Sequence, residues 1–375
     1  MTLPDPPVAD VGLAELTADP HRVWPELRKL APVVRVPVLD GSVVLGYPEA
    51  SAVLRDSSAF TVDDPRFSTG QLFGPSMLST DGPTHDRFRA AFAEPFRPGL
   101  VRQEFSRFVG DQVRRLFDGV GSPFEVRTAV AGPLAVSVMA RLLGLANEDP
   151  AVVLSWYSAL VGGVNRISAG AEAGPEALAA HAELARSLSA SGSLAGTGDL
   201  STDEAVANAG ILLFGGIETT EGMIASLIWH VLSSPAVSTR LRAEPDLVDV
   251  AVEESLRLEP AATRVDRYAS REVELGGLRI GRGELVIVSL AAANRDPAVF
   301  AEPDRFDLSR SNAHRNLALA AGPHYCLGAH LARLQARTVL AELLERWPSA
   351  SLVAAESDAP RGLVFRKPAR VTVQL

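Results

Sequence analysis

Hydrophobic positions along this chain fall into a long helical core with strand-like patches at either end. Ser201-Thr202-Asp203-Glu204 has the spacing of a capping box, with Ser201 as N-cap and Glu204 at the third helical position. It predicts a helix of about thirty residues, to about Ser234 before Pro235, with apolar residues on every side. A helix without a polar face belongs at the centre of a protein. Leu327, Leu331 and Leu334 follow the i, i+4, i+7 rule and predict a second helix running to about Arg346. Leu247, Val250, Ala251, Glu254 and Leu258 form one stripe of a third, within Asp246 to Leu258. A short helix is expected near Pro20 to Leu30, and another apolar one from about Thr128 to Leu143.

Strand patterns are local. The runs 33–38 and 43–46 flank Leu39-Asp40-Gly41-Ser42 and predict a hairpin with a DG turn, with Pro37 placing its strand at a sheet edge. Val273 to Leu275, Leu278 to Ile280 and Leu285 to Ser289 predict a small β region closed by Asn294-Arg295-Asp296-Pro297. Gly362 to Phe365 and Val371 to Leu375 look like a last hairpin. Two stretches lack periodicity. Residues 61–82 read as a loop rich in Gly, Pro, Ser and Asp that carries isolated Phe67, Leu72, Phe73, Met77 and Leu78. Residues 145–200 are dominated by Ala, Gly and Ser, and 187–200 reads as a mobile, lid-like segment.

Composition narrows the classes. A chain of 375 residues with 47% hydrophobic content can bury a large core. A net charge of −9 argues against a general nucleic-acid binder and for a soluble cytoplasmic protein. Met1 to Pro7 has neither a basic nor an apolar signal region, so no secretory signal is expected. The longest charge-free apolar run, Ala205 to Ile217, is too short to cross a bilayer. The single cysteine, Cys326, can form no internal disulfide and no cysteine-only metal cluster, and fits a reducing compartment.

Cys326 has Gly322 four residues before it and Gly328 two after, at the start of the Leu327 helix. A helix N-terminus favours a thiolate, and glycines allow backbone to approach closely, which suits one anionic axial ligand to a large flat metal cofactor. The plainer reading is a buried, inert thiol. In the middle of the long helix stand Gly215, Gly216, Glu218, Thr219 and Thr220. Adjacent glycines weaken a helix, threonine back-bonding bends it, and a carboxylate there has no evident packing use. Glu254 and Arg257 form an i, i+3 pair against an apolar stripe, costly to bury unless further hydrogen-bonded. His85 and Arg89, at i, i+4 on the helix opened by Asp81-Gly82-Pro83-Thr84, could grip an anion or simply face solvent.

Leu319, Ala320, Gly322, His324, Cys326 and Gly328 together resemble the haem-binding loop of the cytochrome P450 family, Phe-Gly-x-Gly-x-His-x-Cys-x-Gly, with Leu319 in place of Phe and Ala320 in place of the first Gly. Gly216-Ile217-Glu218-Thr219 resembles the family's central-helix motif, and His85/Arg89, Glu254/Arg257 and Arg305 match family positions in order over nearly the whole chain. The resemblance implies a mainly α (α+β) fold, one domain over 1–375 with β-rich parts near 31–47, 264–290 and 362–375. It implies haem b with Cys326 as iron ligand. Gly322 and Gly328 would shape the loop, with Gly216 beside the haem and His324 on it. His85, Arg89 and Arg267 would serve as propionate ligands, and Arg305 would complete a Glu254–Arg257 cluster below the haem. Glu218 and Thr219 would deliver protons to bound O2. Phe73, Met77, Leu78, Leu212, Ala262 and Leu363 are the substrate-pocket candidates, all apolar.

The implied activity is a soluble, bacterial-type haem-thiolate monooxygenase acting on a hydrophobic secondary metabolite. Electrons would come from NAD(P)H only indirectly, through ferredoxin reductase and ferredoxin, because no flavin fingerprint or ferredoxin-like cysteine set is present. Arg97, Arg102, Arg107, Arg114 and Arg115, with Arg333 and Arg337, would form the docking face. A monomer without a membrane anchor is expected. Two alternatives stay open: a non-catalytic helper protein on the same fold, and a peroxide-using or ring-forming variant. Cys326 weighs against the first and the intact Glu218–Thr219 pair against the second.

Overall fold

The computed structural model describes residues 8–375; the Pro-rich lead Met1 to Pro7 lies outside the described residues. The central helix is Thr202–Ser233, 32 residues, or about 48 Å at 1.5 Å per residue. Its capping box is closed in both directions. Ser201 Oγ accepts from the Glu204 backbone at 3.2 Å, and Glu204 Oε2 accepts from the Ser201 backbone at 2.9 Å. The far end stops where Ser234 caps the next helix, Pro235–Ala243, because proline cannot continue the ladder.

Two apolar cores share this helix. Its C-terminal half (Ile224, Leu227, Ile228, Val231) packs with Leu331, Leu340 and Leu343 of the helix Ala329–Arg346 and with Val109 and Val113 of Ser106–Asp118. Its N-terminal half (Ile211, Leu213, Phe214) packs with Trp156, Leu160, Leu184 and Leu188 from the antiparallel pair Pro150–Ser168 and Pro175–Ser191. Each buried Leu or Ile contributes about 1.5–3 kcal/mol, so burial on all sides outweighs the interior glycines. By length and composition this helix could cross a membrane, although its longest charge-free run is short. Its most apolar window is 72% buried inside the protein, as expected of a core helix.

The largest sheet has the order β1 (Val33–Val36), β2 (Gly41–Val44), β8 (Leu285–Ser289), β5 (Arg264–Ala269), β3 (Phe60–Thr61). β1 and β2 pair antiparallel, Val33 opposite Val44, and β2 runs parallel to β8. The edge position of β1 agrees with Pro37. Its turn is longer than a two-residue DG loop: Pro37–Leu39 form a 3-10 turn, and Asp40 takes the left-handed conformation at φ 49°. β6 (Val273–Leu275) and β7 (Leu278–Ile280) form a separate hairpin.

Three expectations change. Residues 61–82 contain a helix, Ser68–Phe73, whose Leu72 and Phe73 are buried against the second core. Residues 187–191 complete the helix Pro175–Ser191, with Leu188 buried, and 193–196 form a 3-10 turn. The C-terminal segments do not pair with each other. β10 (Thr372–Gln374) joins β4 (Phe124–Glu125) and β9 (Ser351–Leu352), while 361–367 folds back on itself and pairs Phe365 with Ala262.

Candidate functional site

The helix after the cysteine begins at Ala329, two residues later than the leucine spacing suggests, with Gly328 as N-cap. Leu319 O accepts from the Cys326 backbone at 2.9 Å and Cys326 O accepts from Ala329 at 3.3 Å, so the thiol projects from a pinned turn. Cys326 lines an internal cavity between the central helix and this loop, together with Leu319, Ala320, Gly328, Gly216 and Thr219. Burial pushes its thiol above the ordinary value and outweighs the Gly328 N–H and the charges of Arg89 and Arg333, which favour the thiolate. Among the described residues no cluster of three or more His, Cys, Asp or Glu could hold a bare metal ion. The single sulfur thus suits a metal that arrives with its own in-plane ligands.

A cationic cradle lies at the cavity edge. Arg89 lines the cavity and donates to Tyr325 O at 2.7 Å. Arg267 is 4% exposed, donates to Asp266 O, and makes no ion pair among the described residues; burial lowers it to about 10. His85 contacts Asp86 Oδ1 through Nδ1 at 2.9 Å, while its buried Nε2 has no partner. The His324 ring sits 4.5 Å from that of His85, with its Nε2 2.8 Å from Asp81 Oδ1. A buried arginine, a half-buried one and an orphaned ring nitrogen beside a cavity fit a flat group that carries carboxylates. The donor set and the cradle together fit haem.

Gly322 is demanded by the path of the loop. Its φ is +70° and a Cβ there would lie 2.4 Å from Leu54 O, so it lets the loop pass under the helix Tyr47–Arg55. At Gly328 a Cβ would meet Phe96 and Cys326 Sγ at 3.8 and 3.9 Å, ordinary contact distances, so the surroundings do not forbid a side chain there. At Gly216 a Cβ would collide with Met139, 2.4 Å from its sulfur.

Thr219 and Glu218 part company. Thr219 lines the cavity, and its hydroxyl donates to Gly215 O at 2.6 Å, the back-bonding its sequence context predicts. Glu218 turns away from the cavity wall. It accepts from Tyr157 Oη on the helix Pro150–Ser168 and pairs with Lys367 Nζ at 2.7 Å. Lys367 also reaches Glu221 at 3.2 Å, and Arg127 pairs with Glu221 at 2.6 Å. Burial raises the Glu218 carboxyl, but the hydrogen bonds from Lys367 and Tyr157 prevail and hold it below the usual carboxylate range. Neither Tyr157 nor Lys367 was legible as a partner, because nothing in the local sequence links 157, 218 and 367.

Glu254 and Arg257 are fully buried, on the helix Val248–Leu258, with bonds of 2.8 Å from Arg257 Nε and Nη2. The third member expected at Arg305 is instead Arg310, whose Nε donates to Glu254 Oε1 at 2.9 Å. Arg305 points outward to Glu302, 63% exposed, and contributes only its backbone carbonyl to Arg257. Met77, Leu78, Leu212 and Ala262 line the cavity as expected, joined by Met139, Ala261, Val265 and Leu290. Phe73 and Leu363 do not. Phe73 plugs the second core against Phe214 and the His181 ring, and Leu363 packs against the N-terminal core.

A lone cysteine facing a cavity, a carboxylate-binding cradle and a threonine on a long buried helix define a haem-thiolate oxygenase site. A family model described as cytochrome P450 matches residues 182–350. The chain is 34% identical to the cytochrome P450 monooxygenase PikC of Streptomyces venezuelae, over 94% of this chain and 90% of that one. It is 34% identical to nocardicin C N-oxygenase of Nocardia uniformis subsp. tsuyamanensis, over 95% of each. A crystal structure of P450BioI in complex with hexadec-9Z-enoic acid ligated acyl carrier protein superposes with a TM-score of 0.86 at 29% identity, over 95% of this chain and 98% of that one. The chain belongs to the cytochrome P450 family. It is accordingly a monooxygenase that uses haem and O2, with NAD(P)H acting through redox partners.

Proposed function

We propose that this enzyme inserts one oxygen atom from O2 into an apolar small molecule of secondary metabolism, working as a single-domain cytoplasmic monomer. The observation that carries this reading is one cavity lined by both Cys326 and Thr219, with walls built mainly from apolar side chains. Cys326 would hold haem through its sulfur, with His85, Arg89, Arg267 and His324 toward its carboxylates, and the bound group would supply dioxygen activation. The walls Met77, Leu78, Leu212 and Ala262 exclude water and select an apolar reacting end. Thr219 places a hydroxyl where protons are consumed, and Glu218, one residue earlier, takes protons up at its carboxylate between Lys367 and Tyr157. The relatives named PikC and nocardicin C N-oxygenase support a secondary metabolite as substrate.

Electrons enter from a separate ferredoxin and its reductase. Arg97, beside the cavity-lining Phe96, and Arg102 are exposed. Arg107 and Arg114 share Asp111, and Arg337 shares Asp249. Together with exposed Arg115 and half-buried Arg333 they offer a cationic face to an acidic partner. The test is the difference spectrum of the reduced, purified protein with and without carbon monoxide. A strongly red-shifted Soret band is expected; no haem, or a band like that of histidine-ligated haem, refutes the reading.

A further inference from the structure

Asp81 occupies the N-cap of the helix Gly82–Ala93, yet its side chain makes no capping bond. A capping Asp is worth about 1 kcal/mol to its helix; here the carboxylate is committed elsewhere. Oδ2 accepts from Thr61 Oγ1 at 2.6 Å and from the Val62 backbone at 2.8 Å, and Oδ1 meets His324 Nε2 at 2.8 Å. One carboxylate therefore ties three segments: β3, the start of the helix that carries His85 and Arg89, and the cysteine loop. The His85 ring, with its buried and unpartnered Nε2, leans on the same His324. Arg267 is close enough for Asp81 to be its leading charge partner. Asp81 thus sets a half-buried carboxylate among Arg267, His85 and His324, with Asp86 on the other side of His85.

We propose that Asp81 is the positioning residue of the haem cradle, holding the His324 ring in place and fastening the chamber-wall loop to the cysteine loop. Carboxylates that orient a metal-ligating histidine affect metal affinity or activity by about 10–100-fold; His324 holds the group and not the iron, so the low end of that range is expected for Asp81. Asp81 also places a fixed negative charge beside the cradle, which stabilises the oxidised iron relative to the reduced. The loop it fastens carries Met77 and Leu78, so a ligand pressing on that wall is mechanically linked to the cysteine loop.

This rests on the haem reading, and the experiment keeps the two apart. The haem-loaded protein and its Asp81→Ala, Asp81→Asn and Thr61→Val variants are compared in three ways: haem transfer to excess apomyoglobin, the iron midpoint potential, and the carbon monoxide band. Asp81→Ala is expected to lose haem about tenfold faster. Both Asp81 variants should raise the potential, while the band stays at its thiolate position. Thr61→Val removes a fastening bond, along with the bond that Thr61 Oγ1 accepts from the Asp63 backbone at 2.9 Å, and should leave the potential unchanged. Asp81→Asn keeps the shape of the side chain, so it carries the test if the alanine variant does not fold. Haem loss and potential that match wild type in Asp81→Asn, or that shift equally in Thr61→Val, overturn the assignment. A wild-type protein with no thiolate band would sink the haem reading itself, and Asp81's role with it.

Discussion

Ala320 carries more strain than any other residue of the cysteine loop. It takes a left-handed conformation, φ 59°, where a Cβ costs about 1–2 kcal/mol. The departure from the family's glycine is thus a departure at a backbone position that favours glycine. Ala320→Gly should stabilise the protein by about 0.5–1 kcal/mol, the relief of strain less the glycine's greater unfolded freedom. A rise in the urea midpoint at constant slope checks it; an unchanged or lower midpoint shows that the loop relieves the strain elsewhere. Gly322, two residues on, has the same backbone need plus the contact with Leu54 O, so it cannot be exchanged in this way. The motif spacing made Gly322 visible in the sequence. Its reason, a helix whose Leu54 O would lie 2.4 Å from any Cβ at that position, depends on residues more than 260 positions earlier and was not.

At the scale of elements, helices were far more legible than the segments between them. The pair Glu254/Arg257 follows from i, i+3 spacing on an apolar stripe, and both side chains are fully buried. The third partner sits in the irregular stretch after Pro303, where no period distinguishes Arg305 from Arg310. Only the path of that stretch sends Arg310 inward, to 6% exposure, and Arg305 outward. Removing a cation from a buried carboxylate costs about 3 kcal/mol, whereas an exposed arginine is worth within about 0.5 kcal/mol. Arg310→Ala should therefore lower thermal and urea stability by about 3 kcal/mol and Arg305→Ala by almost nothing. The reverse ranking would restore Arg305 to the cluster. The terminal strands show the same limit. Val371 to Leu375 reads clearly as a strand, but its partners at 124–125 and 351–352 carry no local mark that assigns them.

For the whole molecule, the central helix brings one consequence that neither residue nor element shows alone. It presents Thr219 to the cavity and Glu218 to Tyr157 and Lys367, so a cavity-lining hydroxyl and a paired carboxylate lie on different faces of one turn. Thr219→Ala should keep O2 and NAD(P)H consumption in a reconstituted system while product per NAD(P)H falls severalfold and peroxide rises. Full coupling in that variant would remove Thr219 from proton delivery. The sequence by itself determined the capped central helix, the cysteine turn and the Glu254/Arg257 pair. Each of these is written in short-range spacing, where helix geometry converts sequence distance directly into a shared face. Tertiary structure alone decided that Arg310 replaces Arg305, that Phe73 and Leu363 leave the chamber, and that Glu218 meets Lys367. Those contacts join segments through irregular backbone, and their geometry exists only once the two cores have packed around the helix.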